Sequence, residues 1–287
     1  MNKLLLTGSG GFIGANLRDY FSAKNFEIVC PRSFECNLAD KSAVDALFAE
    51  NKDVYAVIHC ANIGGVRNVQ DDADTLEKNT AMILNLLENT KGKTPLIAFG
   101  SGAQYGKQRS LNKVSESEIG DIMPKDLYGL SKLKTAKIAA ENENMLCLNI
   151  FGCYGKHEKP TRFPTYALNC AAQNKDICIE RNSLFDYLYI EDLCKIIEAF
   201  LRDFPFATGS VNATPDISDT MFEIANCAIK IANSRAKAVL MPQSETPPAY
   251  TGSNAKLKNL LPNLEFTPMQ TGLKKLYEYL QKNGRQF

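Results

Sequence analysis

The chain has no tryptophan, only two histidines (His59 and His157), and a net charge of only +1 over its 287 residues. So few histidines leave little material for a His-rich metal centre or a Ser-His-Asp triad, and no metal site is expected. The near-neutral charge balance supplies no field for nucleic acid or an acidic membrane surface, so neither is expected as a partner. No apolar run approaches the roughly 20 residues of a membrane span. Lys3-Leu4-Leu5-Leu6 runs directly into a glycine turn in place of a secretory leader, which makes a cytoplasmic chain the expectation. Nine cysteines are present without any CxxC spacing. Cys30, Cys60, Cys147 and Cys178 lie in apolar runs, where buried reduced thiols are expected in place of disulfides or metal ligands.

What the chain does have is a regular alternation of short apolar runs and helical patterns. Strands are expected at 3–7, 26–30, 54–60, 95–99 and 145–150, with helices at 12–23, 42–50, 72–90 and 127–143 between them. That rhythm gives an α/β fold with a doubly wound parallel sheet of the Rossmann type, covered by helices on both faces. Beyond Tyr154 the prolines cluster and the strands scatter, while helices are expected at 190–202, 219–232 and 269–282. The expected division is a dinucleotide-binding domain over 1–154, to which 185–213 returns, and a smaller substrate-binding lobe built from 155–184 and 214–287.

Tyr128 and Lys132 stand four residues apart and share one face of the expected helix. An ammonium beside a phenol favours the phenolate, which brings a tyrosine of reference pKa about 10 closer to proton exchange at neutral pH. At the N-terminus, Gly8, Gly11 and Gly14 follow a strand and open a helix, the context in which a glycine turn holds a dinucleotide pyrophosphate. After the second strand the chain reads Cys30-Pro31-Arg32-Ser33. The acidic residue that would bind an NAD ribose is missing, and Arg32 is suited to a 2′-phosphate, so NADP(H) is expected in preference to NAD(H).

Thr7-Gly8-x-x-Gly11-Phe12-Ile13-Gly14, Asn37-Leu38-Ala39-Asp40, His59-Cys60-Ala61, Asn79, Ser101, Tyr128-x-x-x-Lys132 and Asp186-Tyr187-Leu188-Tyr189-Ile190-Glu191-Asp192 follow the order seen in the extended short-chain dehydrogenases/reductases. The chain resembles that family over about residues 1–205. It lies nearest to its nucleotide-sugar 4-keto reductases, with Ile63-Gly64-Gly65-Val66-Arg67-Asn68 similar to GDP-fucose synthase and the compact length similar to dTDP-4-keto-rhamnose reductase. The resemblance implies that Ser101, Tyr128 and Lys132 are catalytic. It implies cofactor contacts from Gly8, Gly11, Phe12, Ile13, Gly14, Asn37, Leu38, Cys60, Ala61, Asn79, Tyr128 and Lys132, with Arg32 added by the cofactor argument. Gln104, Arg162 and Arg181 are the candidates for substrate, and a homodimer through the helices 72–90 and 127–143 is a family expectation.

The departures narrow the activity. Ala103 and Arg162 stand where GDP-fucose synthase has the Cys and His of its epimerising step. Gly152 and Phe185 stand where an Asn and an Arg usually meet the sugar diphosphate. His157 is expected as a surface-loop residue, His59 as a satisfied core histidine, and Lys156 and Lys159 as solvated charge. The expected activity is NADPH-dependent reduction of a 4-keto, 6-deoxy nucleotide sugar, in which Ser101 binds the oxygen and Tyr128 protonates it. The alternatives are a nucleotide-sugar 4-epimerase and a non-enzymatic NADP(H)-sensing protein. A 4,6-dehydratase would need an acidic pair where Gly102-Ala103 stand.

Overall fold

The computed structural model describes residues 2–65, 69–90, 93–202, 207–242 and 248–283. Its centre is a six-stranded sheet. From one edge to the other the strands are Glu27–Val29, Lys3–Thr7, Val54–His59, Leu96–Ser101, Met145–Ile150 and Gly209–Asn212. Every adjacent pair is parallel. Strand direction of travel across the sheet reverses between Lys3–Thr7 and Val54–His59, and such a switch point opens a crevice at the carboxyl ends of the strands.

The apolar runs form these strands because both faces are covered. Leu4, Leu6, Ile58, Ile97 and Leu148 pack into one core with Leu17, Phe21, Ile197 and Phe200 from the helices Phe12–Ser22 and Ile190–Arg202. The alternating residues Leu5, Val57, Leu96, Ala98 and Cys147 pack into a second core. That core is closed by Val44, Ile83, Leu86 and Ala136 from the helices Lys41–Glu50, Thr75–Thr90 and Leu127–Ala140. A period of two along each strand thus supplies both sides of a buried parallel sheet. The expected doubly wound α/β fold is the fold observed.

Element ends move for local reasons. The helix expected from 72 begins at Thr75, whose N–H bonds back to Asp72 O at 3.0 Å. The helix expected to run to 143 ends at Ala140 with Glu141 as its cap, and the strand expected at 95–99 runs on to Ser101. Asp40 and Asp126 cap their helices by accepting the N–H groups of Ser42 and Gly129 at 2.9 and 3.0 Å.

A second sheet of four strands orders Asp219–Thr220, Leu184–Phe185, Ala249–Gly252 and Leu111–Val114. Its central pairings are parallel and non-local, so the periodicity of any one segment does not announce them. Helix Met269–Lys282 buries Leu273, Leu276 and Leu280, an amphipathic stripe against the rest of this half. All nine cysteines are free. Cys147 is buried as expected, but Cys30 and Cys60 are half-buried and Cys178 is exposed, because the middle residue of the short strand Ile177–Ile179 faces outward between two buried isoleucines. No helix among the described residues is long and apolar enough to cross a membrane.

The two sheets are stitched together by Asn212. Its Oδ1 accepts from Tyr105 Oη at 2.6 Å and from Asn149 Nδ2 at 3.0 Å. Its Nδ2 donates to the carbonyls of Val114 and Ser253 at 2.9 and 3.2 Å. Asn212→Ala takes the acceptor from the Tyr105 hydroxyl and one donor each from the Val114 and Ser253 carbonyls, and is expected to cost about 1–3 kcal/mol. Urea unfolding checks this as a lower midpoint at unchanged slope; an unmoved midpoint would show that the network contributes nothing.

Candidate active site

The glycine turn sits at the switch point. Gly8 has φ +67°, and a Cβ there would lie 2.5 Å from Ala61 N, so only glycine permits this approach to the neighbouring strand end. A Cβ on Gly14 would overlap the Gly8 carbonyl oxygen, and Gly11 N–H closes the turn on that same oxygen at 3.0 Å. Helix Phe12–Ser22 therefore begins with its free N–H groups facing the crevice, with Phe12 and Ile13 half-buried on its first turn. Thr7 Oγ1 lies 2.8 Å from His59 Nδ1 and accepts from Ala61 N at 3.4 Å. Burial, with the Lys132 charge adding, pushes His59 down to about 3, so it is a neutral, bonded core histidine. Burial holds the neighbouring Cys60 thiol well above its ordinary range, which leaves it protonated and unreactive.

Arg32 reaches this turn from the end of the second strand. It is exposed, and its Nη1 lies 3.4 Å from where a Gly10 Cβ would be. Asn37 is exposed and closes a local turn on Ala39 N, while the Leu38 side chain is buried in the second core. Asn79, buried, clamps the backbone of Ile63 through both its amide atoms at 2.9 Å. Val66, Arg67 and Asn68 of the glycine-rich loop lie outside the described residues. His59, Cys60, Ala61, Asn79 and Lys132 line one cavity together with Phe99.

Ser101 ends its strand and caps the short turn Gly102–Tyr105, its Oγ accepting from Ala103 N at 3.2 Å. A Cβ on Gly129 would lie 3.0 Å from Ala103 O, so helix Leu127–Ala140 starts directly on that turn. Lys132 Nζ donates to Phe99 O at 3.0 Å and stands 5.5 Å from the centre of the Tyr128 ring. Ser101 thus stands at the carboxyl end of its strand, and Lys132, beside the Tyr128 ring, lines the cavity with Cys60 and Ala61, the residue on which the Gly8 turn packs.

Several expectations need correction. Gln104, a substrate candidate, is fully buried, and its Oε1 accepts from Ser101 N at 3.2 Å. It caps the turn behind Ser101, where the helical geometry of the turn points it inward. His157 is a strut, its Nε2 3.1 Å from Asp19 and its Nδ1 3.2 Å from Tyr279 Oη. Lys156 is paired with the same Asp19 at 3.4 Å; Lys159 is exposed. Both arginines are exposed, and Arg162, at the start of helix Phe163–Ala172, acts electrostatically on both Glu158 and Tyr250.

The sequence reading missed Asp71 and Tyr250. The Asp71 carboxylate accepts from Gly65 N at 2.7 Å and from Tyr128 N at 3.1 Å, tying the loop after the third strand to the tyrosine helix. The run Asp71-Asp72-Ala73-Asp74 reads as a solvated helix start and carries no sign of this. Tyr250 brings its hydroxyl within 3.5 Å of Ser101 Oγ from a proline-rich stretch far along the chain.

A family model described as the NAD dependent epimerase/dehydratase family matches residues 4–211. The chain belongs to that family. Membership makes it an oxidoreductase of the extended short-chain dehydrogenase/reductase type. It is 24% identical over 233 residues to the GDP-L-colitose synthase of Yersinia pseudotuberculosis, covering 73% of this chain and 75% of that protein. It is 22% identical to a probable GDP-L-fucose synthase of Drosophila melanogaster over 95% of both chains. Among solved structures it is similar to a GDP-D-glycero-L-gluco-heptose synthase of Campylobacter jejuni, with TM-score 0.86, 17% identity and 98% of both chains covered. A GDP-mannoheptose C4 reductase of the same organism, solved with NADP, gives 0.84 at 18% identity, again with 98% of both chains covered. Identities this low show the shared fold of the family.

Glu158, beside the site, is buried, with Oε2 accepting from Thr165 Oγ1 at 2.6 Å. Burial pushes its carboxyl up to about 8 from 4.5, against the opposing effects of Thr165 and Arg162. A value raised above that of the unfolded chain means that the native state retains a proton the unfolded chain has lost. The stability it contributes is complete below about pH 4.5 and is lost as pH rises through about 8. Glu158→Gln keeps an acceptor for Thr165 and removes the titration. Thermal melts are expected to show a wild-type Tm that falls more than the variant's between about pH 6 and about pH 9; parallel curves would show that Glu158 does not hold the proton.

Proposed function

We propose that this family member is an NADPH-dependent reductase of a 4-keto, 6-deoxy nucleotide sugar, acting through Ser101, Tyr128 and Lys132. The observation that supports the reading is Lys132 beside the Tyr128 ring, in a cavity with Cys60 and Ala61 at the glycine turn, on a helix that starts against the turn capped by Ser101. The bound cofactor would supply hydride to the carbonyl carbon. Ser101 Oγ, already accepting Ala103 N–H, donates to the substrate oxygen, and Tyr128 gives that oxygen its proton. Lys132, anchored on Phe99 O beside the Tyr128 ring, supports the phenolate left behind and reaches the nicotinamide ribose. The names of the relatives support a GDP-linked sugar.

Arg32 beside the glycine turn supports NADP(H) over NAD(H), since a guanidinium matches a 2′-phosphate bidentately. Ala103 carries no exchangeable proton and Arg162 is permanently charged, so neighbouring sugar carbons lack an acid/base pair and simple reduction is favoured over epimerisation. Residues 155–184 and 214–287 would hold the sugar nucleotide, with Arg162 and Arg181 as its phosphate contacts. A cytoplasmic homodimer completes the reading, in which Leu84, exposed on helix Thr75–Thr90, would be covered.

A panel of GDP- and dTDP-linked 4-keto-6-deoxy sugars with NADPH tests this by loss of the near-ultraviolet absorbance of the reduced cofactor. Turnover on none of them, or tightly held NAD with interconversion of 4-epimers, would overturn it. Tyr128→Phe is expected to lower kcat/KM by about 10²–10⁴-fold while NADPH still binds. Full biological effect of that variant would instead identify a sensor. Arg32→Ala is expected to weaken NADPH binding by about 10–100-fold, as for loss of a charged hydrogen bond, and to leave NADH binding within about twofold. Equal weakening of both would refute the 2′-phosphate contact.

A further inference from the structure

We propose that Tyr250 is a positioning residue for the reducing step, donating its phenol hydrogen to Ser101 Oγ so that the one Ser101 hydrogen is aimed at the substrate oxygen. This rests on the reductase reading above. A serine hydroxyl has one hydrogen and two acceptor sites. Ala103 N–H, at 3.2 Å, occupies one acceptor site. Tyr250 Oη, at 3.5 Å, is placed to occupy the second. With both filled, the Ser101 hydrogen has only the cleft to point to. A carbonyl oxygen can only accept, so the reducing direction requires Ser101 to donate outward. That requirement fixes the Tyr250 hydroxyl as donor and Ser101 as acceptor.

The phenol is seated firmly enough for the task. Its ring packs on Phe151 and Phe185, with centroids at 5.7 and 5.3 Å. On the remaining side a Cβ at Gly102 would lie 2.7 Å from Tyr250 Cζ, so the turn after Ser101 is cut away to admit the ring. The strand that carries it, Ala249–Gly252, pairs with Leu184–Phe185 on one side and with Leu111–Val114 on the other. Burial raises the phenol well above its ordinary value; the Ser101 bond draws it down and the Tyr128 phenol pushes it up. Tyr250 therefore stays a donor across the working range of such an enzyme, and it lies within electrostatic reach of the proton-transferring tyrosine.

Tyr250→Phe keeps the ring and deletes only the hydroxyl. With NADPH and a GDP-linked 4-keto-6-deoxy sugar, it is expected to lower kcat about tenfold, as for one neutral hydrogen bond, with KM within about twofold of wild type. In a Ser101→Ala background the same change is expected to cost less than about twofold, because Tyr250 acts through Ser101. Losses that multiply would overturn the proposal. A second arm needs no turnover. In protein carrying ¹³C at tyrosine Cζ, the resonance that vanishes in Tyr250→Phe belongs to Tyr250, and Ser101→Ala is expected to shift it while Ser101→Thr restores it. An unmoved resonance overturns the proposal. Wild-type protein that reduces none of the panel removes the reductase reading, and the resonance still decides whether Tyr250 orients Ser101.

Discussion

The chemistry of this protein depends on how closely two backbones approach at the carboxyl ends of strands Lys3–Thr7 and Val54–His59. The turn at Gly8 passes so near Ala61 that any side chain would collide with the neighbouring strand. The Thr7–His59 bond locks the same two strand ends from the side-chain layer. Because the sheet reverses its winding at this point, a crevice opens there at the carboxyl ends of the strands. The glycine turn, Cys60, Ala61 and the loop held by Asn79 follow from that junction. A neutral His59 is part of the same arrangement, since a second cation buried beside Lys132 would be expensive.

The first half of the fold was legible because most of its strands are short apolar runs buried on both faces and alternate with helical patterns. Tyr128 and Lys132 were legible because a helix converts a spacing of four into adjacency. The second sheet was not legible: its strands are two to four residues long and pair with strands far along the chain, as Tyr250 does with Leu111. Gln104, expected as a substrate contact, is wholly buried, and His157, expected on a surface loop, is half-buried and bonded on both ring nitrogens. A polar residue near a site suggests a ligand contact, but a turn must first satisfy its own N–H groups, and a loop histidine between two helices can bond to both. Gln104 does the first and His157 the second.

The positions where the chain departs from the usual sugar-diphosphate contacts are filled by an aromatic wall. Phe185, in place of an arginine, stacks at 5.4 Å on Tyr187 and at 5.3 Å against Tyr250. A Cβ on Gly152, in place of an asparagine, would lie 2.9 Å from the Tyr187 ring. The absence of a side chain at Gly152 leaves the room that the Tyr187 ring occupies. In the proposed reduction this wall would strengthen the Ser101 hydrogen bond to the substrate oxygen, because such bonds strengthen where water is excluded.

Asp71 couples the two halves of the site. One carboxylate oxygen holds Gly65 N and the other holds Tyr128 N, so the loop above the cavity and the start of the tyrosine helix cannot move independently. Its charge sits at a helix N-terminus, which favours an anion, and it stands beside the capping Asp126. Two carboxylates at one helix end repel each other, and the arrangement persists because each satisfies different N–H donors. The Tyr128 ring lies against Gly65, where a Cβ would lie 2.6 Å from it, so the loop fixes the plane of the ring as Asp71 fixes the backbone beneath it. A tyrosine constrained at its backbone and its face, with Lys132 close by, retains little freedom except at its hydroxyl, which is the atom that would deliver the proton in the proposed reduction.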